Sequence, residues 1–262
     1  MPVAAIVLLC AAAGATAVPP SGGDGMAILR KTQAAYAALS SFEQHTSATE
    51  VAKLNGIPHV TGGRGEIRYQ RPAGLYVETT DPRHGSFIAA SDGKQLLVYH
   101  GKLNTYRRGP APPNAMAYMQ ALQLEKVQAM PCSGFAFVCG VPAQTMASHV
   151  AIQGDGAVNG VPCFVLVGNL PANARSKAPA PHLTIWVDKK TYLVLKVELA
   201  ETGIHGSVPV AKVIKGKQVR TQAPAVLDET ITETVQDMKV NPPLTAADFT
   251  YRPPTSATEQ KP

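Results

Sequence analysis

The sequence predicts a mainly β protein built around an antiparallel meander, with two helices lying on the sheet. Residues 64–108 contain four or five short apolar runs, and each ends at a turn signal such as Asp81-Pro82 or Asp92-Gly93. The 22 Gly and 22 Pro residues favour a turn-rich fold. Because 45% of the residues are hydrophobic and only 16% are charged, the chain can bury a sizeable core.

The N-terminus is predicted to be a signal peptide. Residues 4–14 form an uninterrupted run of small and apolar residues, and Ala15-Thr16-Ala17 fits the small-residue pattern of a cleavage site. The run is shorter than the roughly 20 residues that cross a bilayer. We therefore expect cleavage after residue 17 and an exported mature protein, periplasmic or otherwise outside the cytoplasm. No other stretch of the sequence is long and apolar enough to be a transmembrane helix.

The first elements of the mature chain are predicted to be a helix and a hairpin. Asp24 is a favourable N-cap for a helix over residues 25–39. A strand over residues 42–54 then reaches Asn55-Gly56, a strong two-residue turn signal. In the returning strand, Gly62-Gly63 predicts a bulge or a kink.

The rest of the chain is predicted to hold a second helix and about five more strands. Asn114 begins a helical pattern over residues 115–130, and Asn159-Gly160 marks another hairpin. Residues 203–224 are less regular and predict either a long hairpin or an inserted loop. The total is about eleven strands. Since both faces of the meander carry apolar residues, we expect one face to be covered and the other to line a cavity.

Three cysteines remain after the predicted cleavage. Cys132 and Cys139 are spaced to close a small loop, and an oxidising compartment favours a structural disulfide between them. Their spacing is wrong for a C-x-x-C redox pair, and a zinc site would need further ligands. Cys163 lies in an apolar run, which indicates a buried thiol.

The sequence contains no motif of established catalytic chemistry. The seven histidines are scattered, with no pair at the spacing of a metal motif, and there is no nucleophile elbow or phosphate-binding loop. The net charge of +6 is spread along the chain, so nucleic-acid binding is disfavoured. We therefore predict a non-enzymatic protein without metal or cofactor. A hydrolase whose polar constellation is assembled from distant residues is the remaining enzymatic alternative.

Several short motifs of the chain resemble the LolA/LolB-like superfamily of outer-membrane lipoprotein carriers and receptors. Their order and spacing between residues 24 and 254 carry the resemblance. The motifs are Tyr36-Ala37-Ala38-Leu39-Ser40-Ser41-Phe42, Gly65-Glu66-Ile67-Arg68-Tyr69-Gln70-Arg71-Pro72, Ser91-Asp92-Gly93-Lys94, Val98-Tyr99, Thr184-Ile185-Trp186-Val187-Asp188, Leu193-Val194-Leu195-Lys196 and Val240-Asn241-Pro242-Pro243-Leu244.

The resemblance implies an incomplete antiparallel β-barrel of about eleven strands, with helices as a lid over a hydrophobic cavity. It implies one domain over residues 18–254, followed by a flexible tail at 255–262. In carriers of this superfamily the cavity holds lipoprotein acyl chains, so we expect a monomeric carrier of lipids or lipoprotein acyl chains in the cell envelope. The alternative is an envelope sensor or interaction domain that binds a protein partner and fills the cavity with its own side chains.

The cavity is expected to be lined by aromatic and long apolar side chains of the meander, the second helix and one later strand. Either of the two alternating sets of strand residues could face the cavity, and one set is chosen here arbitrarily. The predicted lining is then Tyr76, Leu97, Tyr99, Tyr106, Met116, Met119, Leu122 and Trp186.

Overall fold

A computed structural model describes residues 24–82, 85–124, 134–170, 180–214 and 217–260. Within these ranges the main feature is one open, 12-stranded sheet, so the predicted fold class is confirmed. In chain order, the strands are β1 (Ser41–Leu54), β2 (Ile57–Gln70), β3 (Gly74–Asp81), β4 (Gly85–Asp92), β5 (Gln95–His100), β6 (Thr105–Pro110), β7 (Ser148–Val158), β8 (Val161–Asn169), β9 (His182–Asp188), β10 (Val194–Ile214), β11 (Lys217–Val240) and β12 (Thr258–Glu259).

The sheet consists of two meanders joined through their longest strands. The spatial order is β12-β6-β5-β4-β3-β2-β1-β11-β10-β9-β8-β7, so β1 pairs with β11 at the centre. All pairings are antiparallel except that of β12 with β6. Asn55 and Gly56 both have positive φ, at 50° and 81°, as the predicted hairpin turn requires.

One local prediction for the sheet is wrong. The register of β1 with β2 is continuous through Gly62 and Gly63, which pair with Thr49 and Ala48. The glycines remain extended within the ladder, and the irregularity lies instead between β1 and β11, at His45/Thr46. Residues 203–214 and 217–224 lie in the paired strands β10 and β11, which form a long hairpin, one of the two predicted alternatives.

The first helix ends two residues before its predicted end at residue 39, and two short helices were not expected. The second predicted helix is seen as far as residue 124, and residues 125–130 lie outside the described ranges. The helices are α1 (Gly25–Ala37), α2 (Ala115–Leu124), α3 (Phe135–Val138) and α4 (Ala143–Met146), with a 3-10 turn at Ala246–Phe249. The predicted N-cap of α1 is confirmed, since Asp24 Oδ1 accepts a hydrogen bond from Ala27 N at 3.0 Å.

The face of the sheet that packs against α1 to α4 is called the helix face, and the opposite one the outer face. Residues 241–260, called the strap, cover part of the outer face. Asn241 Oδ1 accepts from Ser40 N at 2.8 Å at the start of the strap, and Arg68 donates to the carbonyl of Asp248 at 3.0 Å. Phe249 is buried, and its ring would meet a Cβ added at Gly74 at 3.0 Å. Residues 255–260 of the predicted tail lie in this strap and form β12 against β6.

Candidate functional site

The helix face carries one continuous apolar layer. Alternate residues of the strands supply one side of it, including Leu75 and Val77 of β3 at 0% exposure. Short helices supply the other side, with Leu29 of α1 and Leu122 of α2 also fully buried. Tyr36 of α1 stacks on Phe137 of α3 with ring centroids 5.5 Å apart. This layer is therefore the place where an apolar guest would contact the sheet.

Tyr118 fastens α2 to the sheet. Its hydroxyl donates to the carbonyl of Ala73 at 2.9 Å. It also lies 2.6 Å from Ser91 Oγ. Since the one phenolic proton goes to Ala73, Ser91 is the donor in the second bond. Burial raises the pKa of Tyr118, so the phenol stays protonated and the bond to Ala73 persists at neutral pH.

A polar zone interrupts the apolar layer at the central strands. Gln44 and Thr46 of β1 are 0% and 4% exposed, and their side chains have no hydrogen-bond partner in the part of the chain that the structure describes. Leaving such a group unsatisfied costs about 1–3 kcal/mol. A Cβ at Gly134 would lie 2.7 Å from Gln44 Oε1 and 2.9 Å from the Tyr36 hydroxyl, so both polar groups meet beneath Gly134.

Carboxylates extend this polar zone along β10 and β11. Glu233 pairs with Ala48 of β1. Burial raises the pKa of Tyr36, and the charge of Glu233 adds to that effect. Glu229 pairs with Ala52 on one side and with Glu201 on the other. Both Glu229 and Glu233 are buried. Burial also raises the pKa of Glu201, which marks a desolvated carboxyl on the same face.

The eight residues predicted to line the cavity are divided between the two faces. Those of α2 lie on the helix face, since Met119 and Leu122 are in its layer and Met116 packs against it. Those of the meander lie in a second cluster on the outer face; Tyr76, Leu97 and Tyr99 are buried there and Tyr106 packs beside them.

Trp186 lies on the outer face, because side chains alternate along β9 and the residues on either side of it, Ile185 and Val187, are in the helix-face layer. Lys196 Nζ lies 4.2 Å from the centre of its ring. Binding by any of these residues remains a prediction. The alternation of residues was correct, but only the positions of the helices decide which parity faces them.

A groove of about 610 Å³ opens on the outer face beside the strap. Its lining mixes polar and aromatic groups, and includes Glu78, Ser86, Ile88, Tyr99, Lys102 and Tyr251. The rings of Tyr99 and Tyr251 lie 5.5 Å apart at 40°. The groove is open to solvent and has Glu78 and Lys102 in its lining, so we place the candidate site on the helix face, which the helices cover.

A cluster of charged residues on the outer face was not predicted from the sequence. The β1–β11 register sets His45 opposite Asp237, and the ligand atoms of Glu43, His45 and Asp237 lie within 4.8 Å of one another. Lys239 Nζ lies 2.6 Å from Glu43 Oε1 and already supplies a cation there. Its hydrogen bond holds the pKa of Glu43 below the ordinary range. The arrangement is therefore an ion-pair network.

The predicted disulfide is not shown. Cys139 is a free, buried thiol, and Cys132 lies outside the described ranges. Burial raises the pKa of Cys139, which disfavours the reactive thiolate. Cys163 is also a buried thiol, as predicted.

None of the helices in the described ranges has the length and apolar character needed to cross a membrane.

Fold and site together define a protein with an open antiparallel sheet whose one face is covered by short helices. The chain belongs to the family described as "Predicted periplasmic protein (DUF2092)", whose profile matches residues 25–207. The periplasmic location predicted from the sequence is thereby confirmed for the family. The end of the β10–β11 hairpin and the strap lie beyond the matched residues. No curated protein matches the chain.

Among solved structures, similar ones include a member of the superfamily that the sequence motifs resemble. A LolA superfamily protein from Nitrosomonas europaea is 13% identical, with 87% of this chain and 97% of that chain covered and a TM-score of 0.34. The Mycobacterium tuberculosis lipoprotein LppX is 11% identical, with 85% and 97% covered and a TM-score of 0.44. The Pseudomonas aeruginosa MucA/MucB complex is 14% identical, with 88% and 62% covered and a TM-score of 0.43. At these identities the likeness concerns the fold alone.

Proposed function

We propose that this protein is a non-enzymatic carrier of lipids or lipoprotein acyl chains in the periplasm, acting as one domain over residues 18–254. The observation that supports this most is the apolar layer of the helix face, which short helices cover instead of a second sheet. Each buried CH₂ group stabilises a bound chain by about 0.8 kcal/mol, so an acyl chain needs such a layer to cross an aqueous compartment.

The cover is built in a way that lets it move. α1 has 13 residues, the described part of α2 has 10, and α3 and α4 have four each. Helices this short are marginal on their own, so their stability depends on packing against the sheet. A guest chain that replaces these contacts with its own can therefore displace part of the cover at modest cost.

Binding of a neutral amphiphile to the mature protein tests this proposal. N-phenyl-1-naphthylamine is added as a fluorescent probe, and dodecanol is titrated as the competitor. We expect saturable fluorescence and displacement near a 1:1 ratio. A protein that gives no enhancement, or no displacement, would contradict the carrier function.

A matched pair of variants tells which face binds. Leu122→Ala removes a buried leucine from the helix face, and Leu97→Ala removes one from the outer face. Each is expected to cost about 2–5 kcal/mol of stability, so folding is checked for both by circular dichroism. We expect the dodecanol affinity to fall at least fivefold in Leu122→Ala and to stay within twofold in Leu97→Ala. The reverse pattern would move the site to the outer face.

A second function is favoured by the completeness of the packing. Leu29, Tyr36, Phe42 and Leu122 are all at 0% exposure, so the protein fills much of the helix face with its own side chains. This is what a sensor or interaction domain of the envelope would show. Capture of one envelope protein at a fixed ratio, by a protein that binds neither probe nor dodecanol, would favour this alternative.

A further inference from the structure

We propose that the free part of the β10–β11 hairpin docks on the surface of an anionic lipid bilayer. This part, residues 206–214 and 217–225, is called the ribbon. The proposal concerns a surface of the protein and not its ligand, so it does not depend on the carrier function proposed above. The family profile ends at residue 207, so most of the ribbon lies beyond the part of the chain that defines the family.

The ribbon continues past the strands on either side of it. β9 stops pairing with β10 at Ala200, and β1 stops pairing with β11 at Leu227. In the described ranges, the two strands of the ribbon then pair only with each other, as far as Ile214 with Lys217. At about 3.3 Å per residue, the ribbon is about 30 Å long. A two-stranded hairpin on its own is marginally stable in water, so a ribbon of this length favours a surface that covers it.

One face of the ribbon is rich in apolar residues and ends in two lysines. Residues directly opposite each other in an antiparallel pair share a face. The register therefore places on one face the pairs Val208–Ala223, Val210–Thr221, Lys212–Val219 and Ile214–Lys217.

This face of the ribbon continues the helix face of the sheet. β11 pairs with β10 without a shift from Lys217 to Leu227, and with β1 without a shift from Leu227 to Val235. Its alternate residues therefore stay on one side over this whole length. Val235 is buried and pairs with Thr46 of the helix face. The apolar face of the ribbon thus lies on the same side of the sheet as the apolar layer.

The charge of the ribbon selects the chemistry of the surface it fits. Residues 202–227 contain four Lys or Arg residues and no Asp or Glu, although the whole chain has 18 acidic residues. Lys212, Lys217 and Arg220 are in the described strands, and the ribbon itself supplies no carboxylate to pair with them. Each such cation close to an anionic membrane raises the affinity about fivefold.

Exposed apolar side chains lie at the base of the ribbon. Ile57 and Val60, which follow the β1–β2 turn, are 63% and 69% exposed, and Val226 is also exposed. Asn55 joins this turn to the ribbon, because its N–H donates to the Val226 carbonyl at 2.8 Å and its Oδ1 accepts from Val226 N at 2.9 Å. Large apolar side chains gathered at one end of a sheet mark an interaction surface. An anionic bilayer offers negative headgroups for the cations and an apolar interior for these side chains in a single surface.

Co-sedimentation of the mature wild-type protein with vesicles tests the proposal. One set of vesicles is phosphatidylcholine alone, and the other contains three parts of phosphatidylglycerol to seven of phosphatidylcholine. We expect at least tenfold tighter binding to the anionic set. Raising the salt from about 0.1 M to about 1 M should abolish this preference, because the screening length falls from about 10 Å to about 3 Å.

Three results would overturn the proposal. Equal binding to both sets of vesicles would show that the charge of the ribbon does not direct docking, and binding to neither would show that no docking occurs. Capture of an acidic envelope protein, by a chain that binds neither set, would assign the ribbon to a protein partner.

The double variant Lys212→Gln with Lys217→Gln assigns the preference to the ribbon. It removes two cations and keeps the apolar positions, so it should weaken binding to the anionic vesicles at least fivefold. The matched control is Lys94→Gln with Lys190→Gln, which removes two exposed lysines from the turns after β4 and β9, at the other end of the sheet. The control should stay within twofold of the wild type.

Equal losses in the two double variants would contradict the ribbon as the docking surface. The dodecanol affinity should be unchanged in both, so a failure of docking is distinguished from a failure of the carrier function. The wild-type vesicle series depends on neither variant.

Discussion

Tyr118→Phe is the sharpest test of how the cover is held on the sheet. The substitution removes one hydroxyl that bonds both the Ala73 carbonyl and Ser91 Oγ, while the ring and its packing remain. Each net hydrogen bond stabilises a fold by about 1 kcal/mol, and leaving Ser91 unsatisfied at 1% exposure adds a further penalty. Ser91 Oγ keeps its bond from Gly93 N, which limits that penalty. We expect a loss of about 2 kcal/mol, or about 4–8 °C in Tm for a chain of this size.

The assay is urea unfolding followed by circular dichroism, with Tyr192→Phe as the control. Among the described residues, the Tyr192 hydroxyl accepts one long hydrogen bond, 3.4 Å, from the exposed Lys31, so its removal should change stability by less than about 0.5 kcal/mol. In the carrier proposal, Tyr118→Phe should also speed the release of a bound probe, because α2 is held less firmly. Equal stability of the two variants would refute the idea that Tyr118 fastens α2.

Three further predictions concern the strap, the polar zone and the cysteines. Gly74→Ala should destabilise the protein by about 1–3 kcal/mol, because the new Cβ would press on the Phe249 ring at 3.0 Å. Gly109→Ala is the control, since its Cβ would meet no atom within 4 Å. Equal losses of stability in urea unfolding would contradict this prediction. Burial raises the pKa of Glu201 above its ordinary 4.5, so the folded state keeps this proton to a higher pH than the unfolded state does. The free energy of unfolding therefore falls as the pH rises from 4.5 through the pKa of the folded state. Glu201→Gln should therefore stabilise the protein at pH 7.5 and have little effect near pH 4, and an equal effect at both values would refute the cause. Because Cys139 is a free thiol in the structure, thiol titration of the unfolded mature protein should give three thiols, and a count of one would contradict this.

The parts of the fold that depend on local pattern could be predicted from the sequence. The meander was predicted from the turn signals between β3, β4 and β5, and the two faces of these strands were predicted from the alternation of their residues. Asn55-Gly56 and the Asp24 cap behaved as their chemistry requires. The single-turn helices α3 and α4 were missed, because four residues carry too little periodicity to recognise.

The candidate site was harder to predict because it depends on contacts distant in sequence. The parity that faces the helices depends on where α1 and α2 lie, so Tyr76, Leu97 and Tyr99 were placed in the predicted lining although they pack on the outer face. The pairing of Thr46 with Val235 depends on the β1–β11 register, which joins residues almost 190 positions apart in the chain. Glutamines and glutamates in alternating strands usually mark a solvated face, so the burial of Gln44 and Glu233 could not be predicted from the pattern.

The most direct test of the account is native mass spectrometry of the protein after export to a bacterial periplasm and gentle extraction. We predict a fraction of the mature chain that carries one lipid-sized adduct, which organic solvent releases and which the extract identifies as a lipid or an acyl chain. A chain that is reproducibly empty, and that also fails to bind dodecanol, would contradict the central claim.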